Sequence, residues 1–214
     1  MGLQGTDDLS NLGNKIIKWH GAPNAIDGKL SVNHNKNKND FGNGFYCNSL
    51  RSMANDYALR GDVPELYEVK FPYLGNYKVY RFLNLQYWIA FICYNRGYIN
   101  GNTNLFKEMD KLNSDYDLLI GEIADDNVTE QLPKFVEDKL PFEVLVKQLM
   151  VANLGNQWVI KSQKLLNACE IKQLDLITRI RFTREGLQQE IREIENSWDG
   201  NRTYCSTILR NLEL

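Results

Sequence analysis

Hydrophobic positions along this chain follow both strand and helix periodicities, which predicts a mixed fold. The segment 116–123 (Tyr-Asp-Leu-Leu-Ile-Gly-Glu-Ile) is a short continuous apolar run, and it predicts a strand buried on both faces. The segment 66–71 alternates apolar and polar residues, which is typical of a half-buried strand. The segment 49–60 instead has apolar residues every three or four positions, which predicts an amphipathic helix with Ser49 as its N-cap.

The same criteria predict the remaining elements. Further strands are expected at 14–20, 45–47, 77–82, 157–160 and 171–180. Further helices are expected at 85–95, in a short segment ending near 112, and at 128–138, 142–151, 162–168, 183–198 and 202–214. We expect the strands 66–71 and 77–82 to pair with each other across the turn 72–75. Strands and helices do not alternate regularly, which favours an α+β fold over a doubly wound sheet.

A change in pattern near residue 180 divides the chain. We expect a mixed domain over 1–180 and a helical C-terminal extension over 181–214. Within the extension, Leu187, Ile191 and Ile194 form an apolar stripe at helical spacing. Such a stripe predicts a helix that packs on the domain or docks on a partner protein.

Composition narrows the function classes. The chain has 25 Lys and Arg against 27 Asp and Glu, and this balance argues against an extended surface that tracks nucleic-acid phosphates. Its four cysteines are widely spaced and form no Cys-x-x-Cys pair, which argues against a zinc site and indicates reduced thiols. There is no apolar run long enough to span a membrane, and residues 1–10 lack a signal-peptide core. We therefore expect a cytoplasmic protein without a metal.

The stretch 40–47 (Asp-Phe-Gly-Asn-Gly-Phe-Tyr-Cys) has the strongest chemical signal. Its two glycines permit a tight turn and a close approach to a ligand, immediately before a short buried strand that contains Tyr46. Trp19-His20-Gly21 has a similar build, with a strand end, a polar ring and a glycine. Together they predict a pocket with an imidazole, a phenol ring and exposed backbone amides, which suits a nucleotide. Taken singly, each is also compatible with a structural turn or a core histidine.

In sequence, these stretches resemble an ADP-ribosyltransferase-type fold. More narrowly, they resemble a bacterial branch of that superfamily catalogued as a domain of unknown function (3990). The resemblance rests on 19–21, 40–46, Trp88, Phe91, 95–96, 116–121, 124–126 and 156–159, which occur in the family's order. It extends from His20 to about Leu166.

The resemblance implies a split mixed β core that grips NAD, with flanking helices. In the His-Tyr-(Glu/Asp/Gln) class of such enzymes, His20 would bond the adenine-side ribose and Gly21 would offer backbone groups to the nicotinamide amide. Tyr46 would stack on the nicotinamide ring. Gln157 would contact the nicotinamide-side ribose. The remaining residues expected to bind the cofactor are Asp40, Phe41, Gly44 and Arg96, the last on the pyrophosphate unless it pairs with a carboxylate.

The acidic group of the reaction is less well defined by the resemblance. Glu122 follows Gly121 where the family would have an apolar residue or proline, so Glu122 is a second candidate for the acidic role. Glutamine cannot act as a general base. Asp125 and Asp126 are therefore candidates for the base, and their alternative role is to cap the helix predicted from 128.

The function implied by the resemblance is that of a mono-ADP-ribosyltransferase. It would cleave the nicotinamide–ribose bond through a cationic ribose and transfer ADP-ribose to an intracellular macromolecule. The family's habits imply a toxin or phage-defence effector with a cognate antitoxin. A non-catalytic NAD- or partner-binding module and an NAD glycohydrolase are the alternatives. The acidic balance favours a protein acceptor, but a basic rim from 33–38, Arg51, Arg60 and Arg96 leaves a nucleic-acid acceptor open.

Overall fold

The computed structural model describes residues 16–33, 39–99, 101–124, 130–150, 155–177 and 203–212. Those ranges contain seven strands: β1 (Ile17–Ala22), β2 (Phe45–Asn48), β3 (Glu65–Lys70), β4 (Val79–Arg81), β5 (Leu118–Glu122), β6 (Asn156–Ile160) and β7 (Glu170–Leu174). They also contain seven α-helices: α1 (Arg51–Ala58), α2 (Leu85–Arg96), α3 (Asn104–Asp115), α4 (Leu132–Val136), α5 (Phe142–Met150), α6 (Gln163–Ala168) and α7 (Cys205–Leu212). The predicted α+β class and the C-terminal helix are confirmed.

All seven strands belong to one mixed sheet with the order β4-β5-β6-β2-β1-β3-β7. β4 and β5 run parallel, and the other neighbouring pairs are antiparallel. The predicted buried strand is β5, whose residues 118–121 are all buried between β4 and β6. β2 is the middle strand, with β6 on one side and β1 on the other.

The predicted hairpin between 66–71 and 77–82 is wrong. Both edges of β3 are occupied, one by β1 and the other by β7. The chain instead crosses to the far edge of the sheet, where β4 pairs in parallel with β5 through Val79 opposite Leu118. β5 is apolar on both faces, so covering its outer edge with β4 satisfies its backbone groups away from water.

The predicted Ser49 cap is also wrong. Helix α1 begins at Arg51, and the Leu50 amide at its start donates to Asn48 Oδ1 at 2.7 Å. The Ser49 hydroxyl accepts a hydrogen bond from the Asn156 amide at 2.8 Å. Ser49 therefore ties the end of β2 to the start of β6 and does not cap its own helix.

Helix α2 is bounded by strong local signals. Asn84 Oδ1 accepts from the Gln86 and Tyr87 amides at 2.8 and 3.1 Å, which caps the first turn. Gly97 ends the helix with φ of +84°, a conformation that suits glycine. The buried middle of α2 forms much of one core, and its last turn presents Asn95 and Arg96 to the loop 39–44.

Two hydrophobic cores lie against the sheet. The alternation of strand side chains divides them, since Leu119 and Val159 belong to the core around α2 while Leu118 and Ile160 belong to the other. From α7, Cys205 and Ile208 pack into the core around α2. The predicted boundary at 180, the helix 183–198 and its Leu187, Ile191 and Ile194 stripe lie outside the described residues.

β1 and β2 share fewer paired residues than any other neighbouring strands of the sheet. One registered pair, Trp19 opposite Asn48, joins these strands, whereas six pairs join β1 to β3 and four join β2 to β6. The two halves of the sheet therefore diverge beyond Trp19, and α1 packs against β1 beside the gap. Within the described ranges, no helix has the length and apolarity that crossing a membrane requires.

Replacing Gly21 with alanine tests the contact between β1 and α1. A Cβ at Gly21 would lie 1.9 Å from the Ala54 carbonyl oxygen, so the helix must move. We expect Gly21→Ala to lower the free energy of unfolding by about 3 kcal/mol in urea denaturation. Gly101→Ala is the control, because its Cβ would meet nothing nearer than Phe106 at 4.0 Å. Equal stability of the two variants would contradict this packing.

Candidate active site

A cleft of about 700 Å³ opens where β1 and β2 diverge. It is lined by the end of β1, the connection that follows it, the loop before β2, β2 itself and the inner side of α1. His20, Tyr46 and Gln157 all line this cleft, although 137 positions separate the first from the last in sequence numbering. The cleft has the size of sites that enclose cofactors and small ligands.

His20 lies at the point where the two strands separate. Its Nδ1 lies 2.6 Å from the Tyr46 carbonyl oxygen, which can only accept, so Nδ1 bears the proton. The ring stacks on Phe45 with centroids 4.1 Å apart. Burial lowers the pKa of His20 to about 4, so the imidazole is neutral at pH 7. Its Nε2 is then left as a hydrogen-bond acceptor.

The hydroxyl of Tyr46 is committed to the loop that precedes it. It donates to the Gly42 carbonyl at 2.6 Å and accepts from the Phe41 amide at 3.2 Å. Burial, with a smaller contribution from the Asp40 carboxylate, raises the pKa of this phenol far above its usual value. The phenol therefore stays protonated and cannot serve as a base, so the ring itself is what Tyr46 can offer a ligand.

Asp40 and Arg96 also line the cleft, as an ion pair. The Arg96 Nε and Nη2 atoms donate to Asp40 Oδ1 at 3.0 and 2.7 Å. Of the two roles considered for Arg96, the structure therefore shows the pairing with a carboxylate. This charge-assisted contact fixes the last turn of α2 to the loop before β2.

Phe41 and Gly44 have different environments. Phe41 is fully buried, edge-on to Phe82 and Phe91 at centroid distances of 5.4 and 5.5 Å, and it does not line the cleft. The structure therefore places the Phe41 ring in the core, and the expectation that Phe41 binds a cofactor gains no support from its position. Gly44 does line the cleft, and a Cβ there would lie 2.5 Å from Val159 Cγ1.

Gln157 is 8% exposed, and its side chain has a fixed orientation. Its Nε2 donates to the Glu122 carbonyl oxygen at 3.0 Å. In the described part of the chain its Oε1 has no hydrogen-bond partner, so this atom can accept a hydrogen bond from a ligand. Gln157 was singled out by the family resemblance, which assigns its role to a residue where a later strand begins.

Glu122 is not brought into the cleft. Across β5 and β6, Glu122 lies opposite Asn156, whereas Gln157 lies opposite Gly121. The Glu122 carboxylate is exposed and accepts from Asn156 Nδ2 at 2.8 Å. Asp125 and Asp126 lie outside the described residues, although Ile123 and Ala124 just before them line the cleft.

Several cleft residues were not anticipated. Tyr57 is one of the regularly spaced apolar residues of the predicted helix 49–60, which favoured its burial. It is instead 50% exposed on the cleft, with the Arg60 guanidinium 5.5 Å from its ring centroid. The spacing of three residues between them was the available signal. Of the predicted basic rim, Arg60 and Arg96 line the cleft, whereas Arg51 binds the Asp175 carbonyl oxygen at 3.3 Å.

The connection after β1 also forms one wall of the cleft. Its Ile26 amide donates to Glu65 Oε2 at 3.0 Å, and the same carboxylate accepts from the Tyr67 hydroxyl. This bond links residues 39 positions apart, so no local pattern could have indicated it.

A comparison with protein-family models matches residues 16–171 to the family described as "Protein of unknown function (DUF3990)". The chain belongs to this family. No curated protein and no solved structure matches it. The DUF3990 region contains β1 to β6 and thus every strand that contributes to the cleft, while α7 lies beyond it.

The depressed pKa of His20 predicts a pH dependence of stability. Between pH 6.5 and 4 the unfolded chain binds a proton at this site that the folded chain excludes, so folding loses stability as the pH falls through this window. As the pH falls from 6.5 to 4, we expect the free energy of unfolding of the wild type to decrease more than that of His20→Gln. The difference should be at most about 3 kcal/mol. Parallel stability curves for the two proteins would show that His20 is not protected from protonation.

Proposed function

We propose that this DUF3990 protein is an NAD-dependent mono-ADP-ribosyltransferase. The observation that supports the proposal most is the presence of His20, Tyr46 and Gln157 on one cleft, contributed by β1, β2 and β6. An imidazole, a phenol and a carboxamide from three separate strands form a site suited to the ribose and nicotinamide groups of a dinucleotide.

The state of the His20 and Tyr46 side chains, and the position of the Gly21 backbone, fit their proposed roles. The neutral His20 presents Nε2 as an acceptor for a hydroxyl of the adenine-side ribose. The Tyr46 ring offers an aromatic face to the nicotinamide, and such stacking is favourable for planar rings. Backbone groups of Gly21, at the end of β1 on the cleft, would bind the nicotinamide amide.

In the proposed reaction the bond between the ribose C1′ and the nicotinamide nitrogen breaks. Nicotinamide leaves with the bonding electron pair and the ribose becomes cationic, as in glycoside cleavage. The acceptor's nucleophilic atom then bonds to C1′ and releases its proton. Gln157 Oε1 would accept a hydrogen bond from a hydroxyl of the nicotinamide-side ribose and so orient the sugar.

The proton must be taken by another group, because a carboxamide is not a base. Asp125 and Asp126 remain the candidates, and the position of Ile123 and Ala124 on the cleft supports this assignment. The three side chains on which the proposal rests are uncharged at pH 7, so a carboxylate from this segment would also stabilise the ribose cation.

The biological setting is a further part of the proposal. The protein would act in the cytoplasm as a toxin or phage-defence effector, neutralised by a cognate antitoxin. Its slight acidity favours a protein acceptor, while Arg60 and Arg96 on the cleft keep a nucleic-acid acceptor possible.

One observation favours a second candidate. The resemblance assigns Gln157 to the position where a glutamate would stabilise the cation. A glutamine there favours a binding module that retains NAD without turnover, or an NAD glycohydrolase in which water is the nucleophile. Both share the cleft with the transferase, so they differ from it in products and not in ligand.

Incubation with radiolabelled NAD and a cell lysate tests the proposal. We expect label on a macromolecule with the wild type and at least about tenfold less with Tyr46→Ala, because the stacking surface is removed. Tyr73→Ala is the control, since Tyr73 is exposed and lies away from the cleft. Free ADP-ribose alone would identify a glycohydrolase, and bound but uncleaved NAD a module. Unchanged labelling by Tyr46→Ala would contradict the site.

A further inference from the structure

The loop 39–44, part of which lines the cleft, is held by side-chain hydrogen bonds to its backbone carbonyls. Each carbonyl oxygen of residues 40–43 accepts a hydrogen bond from a side chain. Asn95 Nδ2 binds the Asp40 oxygen at 3.1 Å, and the Tyr46 hydroxyl binds the Gly42 oxygen at 2.6 Å. Lys161 Nζ binds the other two, reaching the Phe41 oxygen at 2.7 Å and also the Asn43 oxygen.

Lys161 reaches the loop from the strand next to β2. It follows β6 directly, and its own amide donates to the Asp117 carbonyl oxygen at 2.8 Å, which fixes its backbone. The side chain is partly buried, and burial lowers the pKa of its ammonium group to about 8. The group is therefore still mainly protonated at neutral pH.

Asn95 holds the opposite end of the loop from α2. Its Nδ2 also donates to the Phe91 carbonyl oxygen at 2.9 Å, so the amide is locked in place on its own helix. At Gly42, where φ is +65°, a Cβ would lie 2.6 Å from Asn95 Oδ1. The loop thus packs against Asn95 so closely that it requires glycine at this turn.

The position of the Tyr46 ring depends on this loop. The phenol end is bonded to the Gly42 oxygen and the Phe41 amide, so a shift of either group moves the anchor of the ring. We propose that Lys161 and Asn95 are positioning residues, which hold the loop 39–44 and thereby set the Tyr46 ring in the wall of the cleft. This inference rests on the proposed function, because it assigns the ring the task of binding nicotinamide.

The expected consequence is a defect in binding. Without the Lys161 bonds the loop must be ordered when NAD binds, which weakens affinity, while the bound complex regains the same geometry. The KM for NAD should therefore rise in Lys161→Met while kcat stays close to the wild-type value.

Calorimetric titration with NAD and amide hydrogen exchange, on the full chain, test the inference together. We expect Lys161→Met to raise the Kd for NAD about tenfold and to speed exchange of the Phe41 and Gly42 amides about tenfold, as for the loss of two hydrogen bonds. Asn95→Ala should act in the same direction. Lys161→Arg should restore both readouts, since a guanidinium can donate to two carbonyl oxygens.

Lys164→Met is the matched control. Lys164 is exposed on α6, near the Tyr77 ring, and does not touch the loop. It should match the wild type in both measurements. Amides of β5 and β6 should exchange at wild-type rates in every variant, which separates a local effect from general destabilisation.

The outcomes are distinct. Wild-type NAD affinity and loop protection in Lys161→Met would overturn the inference, and so would faster exchange spread over the whole sheet. If the wild type itself fails to bind NAD, the proposed function is wrong and the positioning role falls with it, whatever the exchange of the loop amides shows.

Discussion

The separation of β1 from β2 is the constraint on which the site depends. Each strand is firmly paired on its outer side, β1 with β3 and β2 with β6, but the two share one registered pair. A continuous ladder would have filled the space now occupied by the cleft. Where the ladder stops, the Tyr46 carbonyl oxygen needs another partner, and the His20 imidazole supplies it at 2.6 Å.

The hydrogen bond between His20 and the Tyr46 carbonyl oxygen has a chemical consequence. The imidazole is fixed as the Nδ1–H tautomer in a buried setting that disfavours its protonation, so His20 is suited to recognition and not to acid catalysis. Tyr46 is restricted in a similar way, because its hydroxyl is committed to the loop 39–44. His20 and Tyr46 thus present fixed neutral groups to a ligand, which is a basis for specific binding with little reorganisation.

Sequence patterns were informative where structure is local. The buried run of β5, the apolar helix α2 and the short strand containing Tyr46 were all predicted from the sequence. Strand partners could not, as the wrong hairpin shows, because the choice between β3 and β5 as a neighbour depends on which edges are already occupied. Ser49 fails as a cap for a related reason, since its hydroxyl binds a strand 107 residues away.

The candidate site shows the same difference between local features, which the sequence indicated, and long-range contacts, which it did not. Residue types and spacing indicated that His20 and Tyr46 share a pocket, and both line the cleft. The burial of the Phe41 ring could not be predicted, because the sequence of a loop does not show which of its side chains turns into the core. The roles of Arg96 and Lys161 depend on contacts with a loop 56 and 118 to 120 residues away, for which the local sequence has no signal.

An NMR titration of the isotope-labelled protein with NAD tests the central claim most directly. The account predicts saturable shifts of the Gly21, Gly44 and Tyr46 amides and of the Gln157 side-chain amide, with the outer strands β4 and β7 unchanged. The claim that the gap between β1 and β2 binds the dinucleotide would be contradicted by shifts confined to other surfaces. It would also be contradicted if no shifts appear at NAD concentrations high enough to saturate a cofactor site.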